Sequence, residues 1–294
     1  MASQFRISIP ASQAEAQRVN SAAVSLDRFV SASSQTWGTQ SRAQPIVGSP
    51  YAEACRLAKG RWAFDFARFH LAGAEDHLMT VAVILGTGWL PTYAWYGLLR
   101  SCLEASARAC WLLDPTLTPR QRQSRGFTEH LTKVRGDLAF ARPPRRPAIR
   151  LKIEALRDEA KRQGIPESFG KPPEAGAPKP LVGFGIKRPG PSRLLLEALP
   201  DELAPDDDPE GQFLYHIVSG PAHSEPWALI LPVERVGPVE DGITTAKVEV
   251  KLGALMPVIE KAVELHDRAV RWHTQLMGYD EKDWEAARGA LTRF

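Results

Sequence analysis

The stretch WLPTYAWYGLLRSCLEASARACWLL, residues 89–113, sets the fold class. It is long enough to span a bilayer, but it contains the charged residues Arg100, Glu104 and Arg108. On insertion scales, each charge at the centre of a membrane helix costs about 2.5–3.5 kcal/mol. The sequence therefore predicts a helix in the interior of a soluble protein, closed by Asp114-Pro115, and no association with a membrane.

The three charges of this helix recur every four residues, which places them on one helix face. An ion-pair ladder along a solvated edge would give this pattern. A polar network lining a cleft would give it too, but other helices must then supply partners, because an unpaired buried charge costs several kcal/mol. We predict the network, with Arg100 and Glu104 facing the interior and contacting either the helix around residues 70–77 or the region of residues 219–223.

Hydrophobic periodicity, interrupted by Pro and Gly, predicts helices along most of the chain. They cover residues 12–31, 51–85, 91–113, 119–141, 151–163, 193–199, 209–218, 255–276 and 281–291. A break is expected at Gly60, with loops at 36–50 and at about 165–191. Residues 228–236 and 244–251 form a strand pair. The predicted fold is mainly α, an antiparallel helical bundle with a small β-hairpin before the long C-terminal helix.

Length and composition add limits on organisation and partners. We expect residues 1–50 to form an N-terminal helix and loop, and residues 51–294 to form one helical-bundle domain that carries the Pro/Gly-rich loop. The net charge of +3 is small for 294 residues, so the charge of the whole chain gives no strong attraction for nucleic acid. Three cysteines without a CxxC spacing, and an N-terminus without an apolar leader, predict a reduced, cytoplasmic protein.

Residues 214–227, LYHIVSGPAHSEPW, place Tyr215, Ser219 and His223 four apart around a Gly-Pro pair. A helix end would account for the Gly-Pro pair alone. Because Pro221 cannot continue a regular helix, we expect the loosened backbone to turn His223 into a pocket. A neutral imidazole accepts a proton and its protonated form pairs with an anion, so this stretch is a candidate ligand site.

The stretch FARFHLAGAEDHLMT, residues 66–80, places His70 and His77 two helical turns apart, with Asp76 beside His77. It could be an ordinary histidine pair with solvent-facing acids. Alternatively, Asp76 or His77 lies opposite Arg100 and Glu104, because a short connection makes the two helices antiparallel neighbours.

Together, Asp76-His77, the stretch RSCLEASARACWLLDP at residues 100–115, and Tyr215, Ser219 and His223 form a pattern. This pattern resembles a group of uncharacterised bacterial helical proteins, whose helix arrangement is similar to that of the HEPN superfamily. That superfamily consists of helical bundles and includes RNA-cleaving toxins and defence proteins. The resemblance covers roughly residues 51–227 and implies a HEPN-like bundle.

The ribonuclease signature of that superfamily is an Arg followed by a His five to seven residues later. This chain contains two such pairs, Arg125 with His130 and Arg268 with His273, about as many as its composition produces by chance. Around residues 215–223, where the motif would fall, the Arg is absent. The resemblance therefore implies the fold more than the nuclease reaction.

The first functional hypothesis is a HEPN-like protein that binds RNA, a nucleotide or another polar ligand in an interhelical cleft, degenerate as a nuclease. Asp76, His77, Tyr215 and Ser219 would bind the ligand. His223 would act as general base, and Arg100 with Glu104 would complete a catalytic group, with Arg100 contacting phosphate.

Two alternatives remain open. A non-catalytic interaction protein would use the Pro-rich residues 165–191 for docking, with or without homodimer formation. A metal-dependent helical-bundle enzyme would gather Glu and Glu-x-x-His from facing helices, but the chain has no Glu-x-x-His pair. We therefore expect no metal and no cofactor.

Overall fold

The computed structural model describes residues 13–88, 91, 93–174, 177–199, 210–223, 233–240, 243–248 and 252–289. Its helices are α1 Gln13–Arg42, α2 Pro50–Arg56, α3 Trp62–Gly86, α4 Ala94–Leu113, α5 Pro119–Phe140, a 3-10 turn Pro143–Arg145, α6 Arg146–Arg162, α7 Pro191–Ala198, α8 Glu210–Ala222, α9 Leu252–Met277 and α10 Glu281–Arg288. The strands are β1 Glu167–Phe169, β2 Leu181–Phe184, β3 Ile186–Lys187, β4 Val233–Glu240 and β5 Ile243–Val248. The predicted mainly α fold is confirmed.

Helix α4, the helix predicted from residues 89–113, lies at the centre of the bundle. It packs against α3, α9, α8 and α7. Leu99, Leu103 and Leu112 are fully buried, and the helix ends before Asp114 as predicted. No helix within the described residues is long and apolar enough to cross a membrane.

Helices α2 and α3 are separated at the predicted break. A Cβ on Gly60 would lie 2.1 Å from the carbonyl oxygen of Ala54, so only glycine fits this close approach. Ser49 caps α2 by accepting a hydrogen bond from the amide of Ala52. The short α2 therefore folds back, and α3 starts its long run at Trp62.

The loop predicted at residues 36–50 is wrong in its first half, because α1 continues to Arg42. Two tertiary contacts stabilise this extension. The indole of Trp37 donates to Glu75, and Gln40 accepts a hydrogen bond from the Thr274 hydroxyl. Local propensity in a Ser- and Gln-rich segment is weak, so such contacts decide where the helix ends.

The long loop predicted at about residues 165–191 is also wrong, because β1, β2 and β3 form a small antiparallel meander there. The strands have two to four residues, which is too short to show a period of two in the sequence. Thr128 of α5 fixes the meander by accepting from the amide of Phe184. A second apolar core lies beneath it, formed by Phe127, Leu131, Leu156, Ala160, Ile165, Leu181 and Phe184.

The predicted hairpin before the C-terminal helix is confirmed. Strands β4 and β5 pair antiparallel, with Val233 opposite Val248 and Glu240 opposite Ile243. Parts of the predicted elements, at residues 209, 228–232, 249–251 and 290–291, lie outside the described residues.

The main core is shared by both ends of the chain. Phe29 of α1 packs against Trp284 of α10, with ring centroids 5.8 Å apart, and both side chains are fully buried. Of the three thiols, Cys102 and Cys110 of α4 are buried, whereas Cys55 of α2 is exposed.

Candidate functional site

Arg100 of α4 connects three side chains across the interface between α4 and α8. Its Nε donates to Glu104 Oε1 at 2.8 Å, and its Nη1 contacts His223 Nε2. Its Nη2 lies 3.4 Å from the hydroxyl oxygen of Tyr215, and the guanidinium stands 5.5 Å from the centroid of the Tyr215 ring. The predicted contact between Arg100 and the region of residues 219–223 is present.

Glu104 holds two guanidinium groups from its own helix. Besides Arg100, it pairs with Arg108 at 3.4 Å. The side chains of Arg100, Glu104 and Arg108 keep 20%, 16% and 27% of their exposure. These three side chains are therefore neither on a solvated edge nor fully buried, and water and small ligands can reach them.

The backbone of α8 does not break where the Gly-Pro pair predicted. The helix continues to Ala222, with Pro221 inside it, and the amide of His223 still donates to the carbonyl of Ser219. Proline removes only its own amide bond, so the bonds on either side survive in a last turn. Tyr215 and His223 therefore share one helix face, with His223 exposed at its end. Ser219 is buried.

Asp76 and His77 do not join this interface. Asp76 is exposed and His77 is half-buried, and neither side chain makes a hydrogen bond or ion pair with any other described residue. Their neighbour Glu75 points inward instead. Consecutive side chains project about 100° apart around a helix, which is why Glu75 faces inward and Asp76 does not.

A second group of charged side chains extends the row of Arg100, Glu104 and Arg108 towards α5 and α3. Arg188, after β3, lies 2.7 Å from Glu129 of α5, and His70 of α3 lies 3.9 Å from it. Burial alone would raise the pKa of Glu129, but the interactions with His70 and with the charge of Arg188 outweigh burial, so its pKa lies below the usual range. Burial is the main cause that lowers the pKa of Arg188, and the charge of Arg108 adds to it. The same charge helps to lower the pKa of Glu129, so the two groups are close enough to interact through their charges.

We call this surface the polar band, and it consists of His70, Arg100, Glu104, Arg108, Glu129, Arg188, Tyr215 and His223. Glu129 and Arg188 were not predicted as site residues, because no spacing in the sequence links α5 or the segment after β3 to α4. The band contains three guanidinium groups and two carboxylates. With neutral histidines it therefore holds one surplus positive charge on a partly buried surface.

A separate polar cluster lies inside the main core, away from the polar band. Glu75 accepts from Ser33 and, at 2.7 Å, from the indole of Trp37. The imidazole of His266 lies 2.9 Å from Ser33 and 3.5 Å from Ser106. This cluster satisfies the hydrogen bonds of buried polar groups where α1, α3, α4 and α9 meet, and we assign it to stability.

Neither Arg/His pair of the ribonuclease type forms a site. His273 is fully buried, and burial together with the charge of Arg68 lowers its pKa to about 3. Arg268 turns away to the carbonyl of Ala198. In the other pair, Arg125 binds the carbonyl of Trp111, while His130 stacks on Trp62 at 4.3 Å between ring centroids.

Two cavities lie away from the polar band. One of about 700 Å³ opens beside α6 and β1 and is lined by Arg157 and Glu167, which pair with each other. The other, of about 70 Å³, lies beside Trp111 and Arg125. Both are less suited to an anion than the polar band, because each is lined by more acidic than basic side chains.

Among the described residues, no three or more His, Cys, Asp or Glu side chains are grouped as metal ligands would be. Comparison with protein-family models, with curated proteins and with solved structures finds no match to this chain. The residues of the site therefore carry the functional argument.

Proposed function

We propose that this protein binds a small anionic ligand, of the nucleotide or phosphate class, at the α8 end of the polar band. The observation that carries the proposal is the surplus guanidinium charge on a partly buried surface beside an exposed histidine. Partial burial strengthens the interaction of a guanidinium with an anion, because the local dielectric constant is lower than that of water.

Arg100 supplies the direct contact, and His223 now occupies the nitrogen that the ligand would take. Arg100 uses Nε for Glu104, and among the described residues its two terminal nitrogens contact Tyr215 and His223. When the histidine is neutral, neither partner carries a charge that would neutralise the guanidinium. A phosphate oxygen that displaces His223 gains a charge-assisted bond from a guanidinium already oriented by Glu104. The Tyr215 ring supplies an apolar face beside it, suited to a base or another planar group.

Binding, rather than catalysis, is what this geometry supports best. His223 contacts Arg100 and has no carboxylate within hydrogen-bonding distance among the described residues, so nothing there orients it as a strong base. If the ligand is RNA, His223 remains the candidate general base and Arg100 the phosphate contact. A cleavage assay with a short RNA then separates binding from turnover.

The test is calorimetric titration with a nucleoside triphosphate and with inorganic pyrophosphate. Replacing Arg100 by Gln is expected to weaken binding about tenfold or more, since hydrogen bonds to charged groups contribute roughly 1.5–3 kcal/mol. His223→Ala removes an exposed side chain and should alter the affinity without altering the melting temperature.

Arg193→Gln is the matched control. Arg193 forms the same i,i+4 pair with Glu197, at 2.6 Å, but on the exposed surface of α7. Equal losses in both Arg variants would show that the polar band has no special role. Failure of the unaltered protein to bind any of these anions would favour the interaction-protein alternative.

A further inference from the structure

A second surface, remote in sequence from Arg100, has a larger net positive charge than the whole chain. Residues 133–153 run from the end of α5 through the 3-10 turn into α6. They contain seven basic residues and one acidic residue, a net charge of +6, whereas the whole chain has +3. The remaining residues therefore sum to −3. We call residues 133–153 the basic hairpin.

The charges of the basic hairpin are exposed and largely unpaired. Among the described residues, Arg142, Arg145, Arg150 and Lys152 make no ion pair, and all four are exposed. Arg146 donates to the carbonyl of Ala141, which covers the C-terminal end of α5. The others concentrate positive charge near the N-terminus of α6, where the helix dipole is already positive. This placement is unfavourable for the free protein and favourable for a bound anion.

An exposed aromatic side chain lies within the basic hairpin. Phe140 ends α5, is 93% exposed and lies two residues before Arg142 along the chain. A large apolar ring in this position contributes nothing to either core. Cationic side chains around an exposed aromatic ring are the combination that binds single-stranded nucleic acid, by phosphate pairing and base stacking.

A lipid surface fits the basic hairpin less well. An interfacial helix inserts its apolar face, but the apolar face of α6 is already used inside the protein, where Leu156 and Ala160 belong to the second core. Only Leu151 projects outward from α6 as a large apolar side chain. Prolines 143, 144 and 147 also restrict the backbone of the turn, so less conformational freedom of the backbone is lost when a ligand binds.

We propose that the basic hairpin is a docking surface for a single-stranded nucleic acid. Arg142, Arg145, Arg146 and Arg150 bind its phosphates, and Phe140 stacks on one of its bases. The surface is distinct from the polar band and does not depend on a ligand there.

The experiment is fluorescence anisotropy with a labelled single-stranded oligonucleotide of about 12 nucleotides, within the usual site sizes. The variant R145E/R146E/R150E reverses three exposed charges and leaves both cores intact. Its affinity is expected to fall at least tenfold, and the slope of log K against log salt to become shallower by about 2, from roughly 0.7 per phosphate.

The matched control is R18E/R28E/R42E, which reverses three exposed arginines on α1 and changes the net charge by the same amount. Its affinity should fall much less. Phe140→Ser should weaken binding while leaving the salt slope unchanged, because stacking releases no counterion. The variant R145E/R146E/R150E should still bind inorganic pyrophosphate as the unaltered protein does, which keeps this result separate from the proposed anion site.

Three outcomes overturn the proposal. The unaltered protein binds no oligonucleotide, or the control on α1 loses as much affinity as the variant, or duplexes or vesicles of anionic lipid bind more tightly than the single strand. The last outcome would identify the basic hairpin as a duplex or membrane surface.

Discussion

Glu104 is the residue on which the polar band depends, because one carboxylate holds two guanidinium groups in place. Replacing it by Ala leaves Arg100 and Arg108 without the carboxylate that pairs with both of them. We expect a loss of about 1–2 kcal/mol in the free energy of unfolding. This lies between the values for exposed and for fully buried pairs, since these side chains keep part of their exposure.

Urea denaturation measures the loss at Glu104. The control is Glu197→Ala, which breaks the exposed pair on α7 and should change stability by less than about 0.5 kcal/mol. Equal effects would mean that the polar band is as well solvated as α7.

His273 makes the free energy of unfolding depend on pH in the acidic range. Its pKa in the folded protein is lowered to about 3, against an ordinary value of 6.5, because it is fully buried and close to Arg68. Between these two values the unfolded chain binds a proton at His273 that the folded protein does not. The free energy of unfolding is therefore highest above about pH 6.5 and falls towards pH 3, by up to about 1.4 kcal/mol per pH unit.

Denaturant unfolding at a series of pH values tests this dependence. His273→Gln removes the titration and should flatten the curve between about pH 6 and 4. The lowered pKa of Glu129 acts in the same direction but only near and below its ordinary value of 4.5. An unchanged slope between pH 6 and 5 in the variant would contradict the assignment to His273.

At the scale of the element, α5 contains two glycines in contrasting surroundings. A Cβ on Gly126 would lie 2.7 Å from the backbone nitrogen of Ala63, so the backbones of α5 and of the start of α3 lie in close contact. A Cβ on Gly136 would meet nothing within 4 Å. Gly126→Ala should therefore destabilise the protein by about 1–3 kcal/mol. Gly136→Ala should stabilise it by about 0.5–1 kcal/mol.

Thermal melts of the two variants of α5 give opposite shifts if this packing is right. The pair shares one helix and one substitution, so propensity alone predicts that both variants are stabilised. A stabilised Gly126→Ala would mean that α3 and α5 can separate without loss.

Which elements form was largely predictable, and where side chains point was less so. The buried α4 followed from its apolar length, and the hairpin from its turn signals. Glu75 and Asp76 are adjacent in the sequence, and only the packing of α3 against its neighbours shows which of them faces inward. The link from Arg108 to Glu129 and Arg188 joins residues distant in sequence. It arises from tertiary packing, which no local pattern encodes.

At the scale of the whole molecule, the two ends of the chain complete one core. Leu26 and Phe29 of α1 are fully buried, and Trp284 of α10 packs on Phe29. A chain shortened to residues 51–294 would expose the surface that α1 covers. We expect it to melt at a lower temperature and to lose the sharp cooperative transition of the full chain.

Calorimetry and limited proteolysis check this expectation. If residues 51–294 unfold cooperatively at the temperature of the full chain, the N-terminal segment is an accessory and the bundle is a domain without it.

The cysteines of α4 offer a way to observe opening of the centre of the protein. Burial raises the pKa of both Cys102 and Cys110 to about 12, whereas the thiol of Cys55 lies at the surface. An alkylating reagent should therefore modify one site per folded chain and three per unfolded chain. The rate at which the second and third sites appear in intact-mass spectra measures how often α4 is released from its neighbours. A ligand that holds α4 against α8 should slow those two sites and leave the first unchanged.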